Sequence, residues 1–290
     1  MAAGLQKVFN IKNNILKRIG FMQGRMLPMV GKKIQAFPVK NWEKEFYLAN
    51  ISNFSVMEWT LDYKGLNSNP LMQKHGQNRI KELKNEFNLK IPSVTCDFFM
   101  QKPFFLENTK GKLKLLNLLE KVIDNSINIG VKFLVIPLVD NSSIKNLRAE
   151  KVVIYELNKI LDGKNIKIAF ESDFAPKKLK NFISNFCDLN FGINYDIGNS
   201  AALGFDPKDE FHFYGDRVIN VHIKDRVRRG TTVPLGCGNA DLKKCFKELA
   251  RINYKGNYIF QTARSLHNNH PQVLQGYREI VYRHILNNIS

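Results

Sequence analysis

Four polar residues close four successive apolar runs in the second half of the chain. Glu171 ends IKIAFE, Asp196 ends FGINYD, His222 ends VINVH and Gln261 ends YIFQ. They follow one another at 25, 26 and 39 residues, intervals that each accommodate one strand and its return helix. One imidazole, two carboxylates and an amide carbonyl form a donor set for a borderline or hard divalent ion. Manganese, magnesium, cobalt and zinc all fit, and the lack of a thiolate argues against a structural zinc site. A single such residue is most simply a hydrogen-bonded strand end. Four on consecutive strands point to one divalent metal ion held by Glu171, Asp196, His222 and Gln261.

Short apolar runs alternate with longer amphipathic ones along the whole chain, which predicts parallel strands joined by crossover helices. Strands are expected over 18–22, 56–59, 91–95, 132–137, 166–171, 191–196, 218–222 and 258–261. The helices between and after them fall over 41–52, 72–87, 110–129, 150–161, 177–185, 199–203 with 208–213, 242–251 and 272–286. The LKLLNLLEKVI stretch within 110–129 has the clearest 3.6-residue period. Eight strand–helix units in order, with no linker, predict a single α/β domain, a (β/α)8 TIM barrel over 18–290. Residues 1–17 form an N-terminal extension. Active sites of such barrels sit at the C-terminal ends of the strands, where the four residues above fall.

The chain resembles the sugar phosphate isomerase/epimerase family of xylose isomerase-like barrels over roughly residues 18–286. The resemblance is carried by GFMQGR at 20–25, NYDIGNS at 194–200, VHIKD at 221–225 and PLGCGNAD at 234–241. It implies that Glu171, Asp196 and His222 are metal ligands and that Gln261 occupies the fourth ligand position. In ketose epimerases of this family both the strand-five and strand-eight ligands are glutamates, working as acid and base on opposite faces of the substrate. A glutamine can ligate through its carbonyl oxygen but cannot shuttle a proton near neutral pH. Glu171 is then the one carboxylate base on the metal, and the second proton carrier lies elsewhere.

Other polar residues surround these strand ends. Strand alternation puts Lys224 on the side of His222, where it could hold a substrate oxygen, act in catalysis or pair with Asp225. Glu58 and Trp59 end strand two and could grip a sugar hydroxyl against an aromatic face. Asp97 follows strand three, and Gln23 and Arg25 follow strand one. Arg226, Arg228 and Arg264 are candidate clamps for phosphate or carboxylate, because a guanidinium fork matches those groups. The Pro234–Gly238 loop could offer backbone N–H groups to an anion near a helix start. The histidines at 75, 212, 267, 270 and 284 do not read as ligands.

Composition narrows the classes. No apolar stretch approaches the roughly 18 residues that would cross a bilayer, and no apolar run with a small-residue cleavage site opens the chain. The expectation is a soluble cytoplasmic protein with no membrane partner, whose four scattered cysteines are buried free thiols. A net charge of +18 could suit a polyanion, but the basic residues are spread over nearly every helix, which disfavours nucleic acid. Attraction of anionic sugar phosphates is the milder reading. The leading function is a metal-dependent isomerase or epimerase of a sugar or sugar derivative, with a small carbohydrate as substrate. Homo-oligomer formation stays open. A lyase or dehydratase of a polyol or keto-sugar is the nearest rival, since one base suffices for it. An abasic-site endonuclease would need a histidine-rich three-zinc cluster that these strand ends do not supply. A barrel that only binds a sugar is the third alternative.

Overall fold

The computed structural model describes residues 2–31, 33–187 and 189–288. Helix α1 (Ala2–Leu16) precedes β1 (Ile19–Met22), followed by α2 (Lys44–Ile51), β2 (Met57–Thr60), α3 (Lys74–Glu86) and β3 (Ser93–Thr95). A short helix α4 (Asp97–Gln101) then leads to α5 (Thr109–Asn128), β4 (Phe133–Leu138), α6 (Leu147–Ile160), β5 (Lys167–Ser172) and α7 (Pro176–Ile183). The second half runs β6 (Phe191–Asp196), α8 (Ile197–Leu203), α9 (Pro207–Tyr214) and β7 (Val218–Ile223). A small hairpin of β8 (Asp225–Arg226) and β9 (Thr232–Val233) follows, then α10 (Leu242–Arg251), β10 (Asn257–Phe260) and α11 (His270–Leu286).

Eight strands close into one barrel in the order β1-β10-β7-β6-β5-β4-β3-β2, and every neighbouring pair is parallel. This is the expected (β/α)8 fold. The strands are buried on both faces, as a parallel sheet sheathed by helices requires. Their outward residues, among them Phe21, Trp59, Phe170 and Phe260, pack under the helices in one large apolar cluster. Helix α1 joins this outer layer: Ile15 is buried in it, and Lys12 Nζ lies over the Tyr282 ring of α11.

The barrel interior is different. Its apolar content is confined to two small groups, Met22 with Val56 and Ile259, and Phe133 with Val135 and Ala169. Between them lie Glu58, Ser93, Thr95, Asn194, Asn220 and His222, all buried. Sequence pattern places them there, since residues 58 and 60, 93 and 95, 194 and 196, and 220 and 222 alternate onto one face of each strand.

Two glycines permit the approaches the mouth needs. Gly24, two residues past β1, has φ at +89°, and a Cβ there would lie 2.7 Å from Ala36 O. Gly198 opens α8 against Lys224, where a Cβ would come within 2.7 Å of Lys224 Cγ. The four cysteines are free thiols, but only Cys96 and Cys245 are buried; Cys187 and Cys237 sit on exposed connections, correcting the expectation of burial. No helix of the described residues is long and apolar enough to cross a membrane.

Candidate active site

The ends of β5, β6 and β7 bring Glu171, Asp196 and His222 together, with one potential ligand atom from each within 4.8 Å of the others. His222 Nδ1 lies 3.1 Å from Glu171 Oε2 and 3.9 Å from Asp196 Oδ2. Its other ring nitrogen, Nε2, is 2.7 Å from Glu58 Oε1. Donation of Nε2–H to Glu58 fixes the ring and leaves the Nδ1 lone pair toward the two carboxylates, the arrangement in which a carboxylate orients a metal-binding histidine. Asn194 Nδ2, 3.0 Å from that nitrogen, also donates to Glu171 Oε2 at 2.8 Å.

Each carboxylate is braced. Glu58 accepts from Ser93 Oγ at 2.7 Å, from Thr95 Oγ1 and from Asn220 Nδ2 at 3.0 Å. Asn199 Nδ2 donates to Glu171 Oε1 at 2.6 Å, and Arg226 Nη1 holds Asn199 Oδ1 at 2.7 Å. Asp196 Oδ1 caps α8 by accepting from Asn199 N, which leaves Oδ2 for the site. Asp196 Oδ2 is buried and ion-paired with Lys224 Nζ at 2.7 Å. One imidazole nitrogen and two carboxylate oxygens that converge in a buried pocket are a donor set suited to a divalent ion, so the residues fit one.

The electrostatics agree. Burial works against the His222 charge, but Glu58 and Glu171 outweigh it and raise the pKa to about 10. Burial would raise the Glu171 pKa, yet the hydrogen bond to His222 and the charges of His222 and Lys224 keep it below the ordinary value. Asp196 is shifted upward by burial, against the pull of Lys224. The pocket thus attracts a cation, and in its absence holds a proton on His222.

Gln261 follows β10, and its carbonyl oxygen accepts from Lys224 Nζ at 2.6 Å while its amide nitrogen faces Met22 Sδ at 3.5 Å. The ammonium of Lys224 therefore lies between Asp196 and Gln261, and the expected pairing of Lys224 with Asp225 is not formed. Asp97 is buried at the start of α4, where burial, Asp62 and Glu171 push its carboxyl up to about 8. Gln23, with no exposed surface, accepts from Thr60 N through Oε1 at 3.2 Å.

Most residues expected to contact substrate already have partners within the chain. Glu58 is fully buried beneath His222, so it supports the imidazole and cannot reach a sugar hydroxyl at the mouth. Trp59, its neighbour on the strand, points to the opposite face, packs on Phe37 and Trp42, and donates Nε1–H to Asn69. Asp225 accepts from Gly236 N, Gly238 N and Ala240 N at 2.9–3.0 Å. The N–H groups of the glycine loop do meet an anion, but that anion is Asp225 itself. Arg226 is occupied by Asn199 and Gly230 O, and Arg228 is exposed with its guanidinium over Gly204. Arg264 donates to the carbonyls of Gly24 and Leu27 in the loop after β1.

The supporting asparagines 194, 199 and 220 and the pair Ser93 and Thr95 were missed by sequence reasoning. The available signal was alternation: 194 shares a face with 196, and 220 with 222. Glu45 was missed too. It is buried in α2 and accepts from Gly24 N and Met26 N, fixing the turn after β1, and burial raises its carboxyl to about 7. Nothing in its amphipathic helix distinguishes it from a solvated glutamate.

The chain belongs to the xylose isomerase-like TIM barrel family, whose model matches residues 47–280. A putative L-ribulose-5-phosphate 3-epimerase, SgbU, of Haemophilus influenzae is 22% identical over 239 residues, covering 76% of this chain and 83% of the relative. Among solved structures, an L-ribulose 3-epimerase superposes with a TM-score of 0.74 at 13% identity, covering 93% of this chain and 95% of the other. A protein named IOLI, solved with a bound zinc atom, gives 0.73 at 15% identity over 94% and 99% of the two chains.

Proposed function

We propose that the protein is an isomerase that epimerises a ketose or ketose phosphate at one divalent metal ion held by Glu171, Asp196 and His222. The observation that carries this is the convergence of the three ligand atoms within 4.8 Å, with the imidazole locked from behind by Glu58. The 3-epimerase names of SgbU and of the solved L-ribulose enzyme support the reaction class. The zinc atom of IOLI supports the metal, whose identity among manganese, magnesium, cobalt and zinc the donor set leaves open.

When bound, the ion supplies Lewis-acid polarisation of neighbouring substrate oxygens. Glu171, ionised and aimed by Asn194 and Asn199, removes the proton next to the carbonyl. Gln261 cannot return it, and the nitrogen that occupies its side of the site is Lys224 Nζ, positioned by Asp196 and Gln261. Lys224 is therefore the proton donor on that face. Metal analysis of protein purified without chelators, then exchange of the substrate C–H in deuterated water across ketoses and ketose phosphates, tests the reading. Stoichiometric metal with exchange and an epimeric product is the expected result; metal with no exchange on any sugar would leave a binding protein.

A second reading, a dehydratase, is favoured by Asp97. A buried carboxyl that keeps its proton to about pH 8 near the Glu171 base could protonate a departing hydroxide. Loss of water from the product, read by mass, separates the two. The endonuclease alternative has less support, because the metal group at this mouth contains a single histidine.

A further inference from the structure

On the β1 and β10 side of the mouth, a second set of buried side chains is short of partners. Gln23 Nε2, Arg25 Nε, Arg264 Nε and His270 Nε2 are all shielded from solvent, and none has a hydrogen-bond acceptor. Gln23, Arg25 and His270 expose 0%, 4% and 3% of their surface. They are tied to one place by the chain. Gln23 and Arg25 flank Gly24, whose carbonyl is held by Arg264 Nη1. Ser265, next to Arg264, donates its N–H to His270 Nδ1 at 3.2 Å, so the neutral imidazole carries its proton on the unpartnered Nε2.

The charge is unbalanced as well. Among the described residues neither Arg25 nor Arg264 makes an ion pair with a carboxylate; Arg25 donates only to Ile34 O at 2.8 Å, and Arg264 only to loop carbonyls. The carboxylate that reaches this turn from α2, Glu45, is taken up by Gly24 N and Met26 N. Asp97, Glu45 and Asp196 act on Arg25 only through space, and burial with Arg264 still lowers its pKa to about 9, so a directly bonded anion with several acceptor oxygens would relieve the cost of burying two guanidiniums.

We infer that Gln23, Arg25, Arg264 and His270 form an anion subsite that takes the phosphate group of a phosphorylated sugar, with the reacting end of that sugar directed to Glu171. Burial, then Arg264 and Arg25, depress the His270 pKa to about 4, so the ring is neutral and offers its Nε2–H as a donor. The loop after β1 reaches this side, where Ile34 O accepts from Arg25 Nη1 at 2.8 Å. This inference rests on the epimerase reading for the identity of the sugar, but not for the anion site itself.

The test is titration of the full-length protein with inorganic phosphate, followed by calorimetry, with chelator present and absent to separate binding at a metal. One saturable site is expected. Arg25→Gln should weaken it at least tenfold, and Arg25→Lys, which keeps the charge and loses the fork, should fall between. Arg79→Gln removes an exposed arginine paired with Glu43 and Glu82 and should leave binding unchanged. Thermal melts of each variant establish that it is folded; should Arg25→Gln fail to fold, Arg25→Lys and His270→Asn carry the comparison. Absence of saturable binding, binding unaffected by Arg25→Lys and His270→Asn, equal weakening by Arg79→Gln, or acetate binding as tightly as phosphate would each overturn the inference. If ketoses undergo exchange equally well with and without a phosphate group while phosphate does not bind, the epimerase reading stands and the anion subsite falls. If phosphate binds as expected and no sugar undergoes exchange, the reverse holds.

Discussion

The two sides of the barrel mouth are built on opposite principles. Around β5, β6 and β7, Glu171 and Asp196 are braced by asparagines and helix caps, and His222 is locked by a buried Glu58. Around β1 and β10, the charges are positive and several N–H groups are left without acceptors. The first region is rigid because its polar groups are bonded to one another, and it calls for a cation. The second is unsatisfied by its own chain, and it calls for an anion. A substrate with a polar reacting end and an anionic tail would be held in one orientation by that separation.

The largest effect should come from the acidic side. Glu171→Gln keeps the shape but removes the base, and its amide oxygen can accept from only one of Asn194 and Asn199. Proton exchange should fall by about 10³-fold, within the range for a general base, with the melting temperature little changed. Exchange that survived would move the base elsewhere and break the contrast. Next comes the support behind the imidazole: Glu58→Gln should weaken metal binding by about 10–100-fold without touching the metal, measured by competition with a chelating dye. A smaller loss would mean that Ser93, Thr95 and Asn220 orient His222 on their own.

Proton competition sharpens the same side. With the metal absent, His222 holds a proton up to about pH 10, so metal binding must expel it. Affinity should rise by roughly tenfold per pH unit below that value if one proton is displaced, with proton release seen as a buffer-dependent heat. The linkage has a definite sign. The raised folded pKa means His222 stabilises the metal-free protein fully below its unfolded value, near pH 6.5, and the contribution is lost as pH rises toward 10. Metal should therefore stabilise the protein more at pH 9 than at pH 6.

How much of this the sequence disclosed depends on which interaction fixed each residue. Strand ends that close apolar runs placed Glu171, Asp196 and His222 correctly, because period-two alternation and the barrel's geometry leave little freedom there. Trp59 was misread since its place in the sequence, one residue after an inward glutamate, says only that it faces the other way. Asp225 was expected to pair with its neighbour Lys224; its partners are backbone N–H groups some 11–15 residues later, a loop conformation that no local pattern announces. The unpartnered group at Gln23, Arg25, Arg264 and His270 joins residues more than 230 positions apart, so its members could be suspected singly but not as a set.

Asp97 lies between the two sides and gives a smaller test. Its folded pKa, about 8, is above the ordinary value, so its contribution to stability is greatest below about pH 4 and is lost as pH rises through 8. Asp97→Asn should raise the melting temperature at pH 8 by about 2–4 °C, a gain that shrinks toward pH 5. If the substitution also abolished exchange while leaving metal binding intact, Asp97 would be a proton carrier, and the dehydratase reading would gain over epimerisation.

The smallest effect is expected at Arg228, one of the arginines first read as a phosphate clamp. It is exposed and lies over Gly204, away from the buried cations of the β1 and β10 side. Arg228→Ala should change stability by no more than about 0.5 kcal/mol and leave phosphate binding and proton exchange unaltered. That outcome would separate a general attraction of anions by a chain of net charge +18 from recognition by Arg25 and Arg264, whose partners are backbone carbonyls and not carboxylates. A loss of phosphate affinity in Arg228→Ala equal to that in Arg25→Gln would mean that surface charge, not the buried side of the mouth, selects the anion.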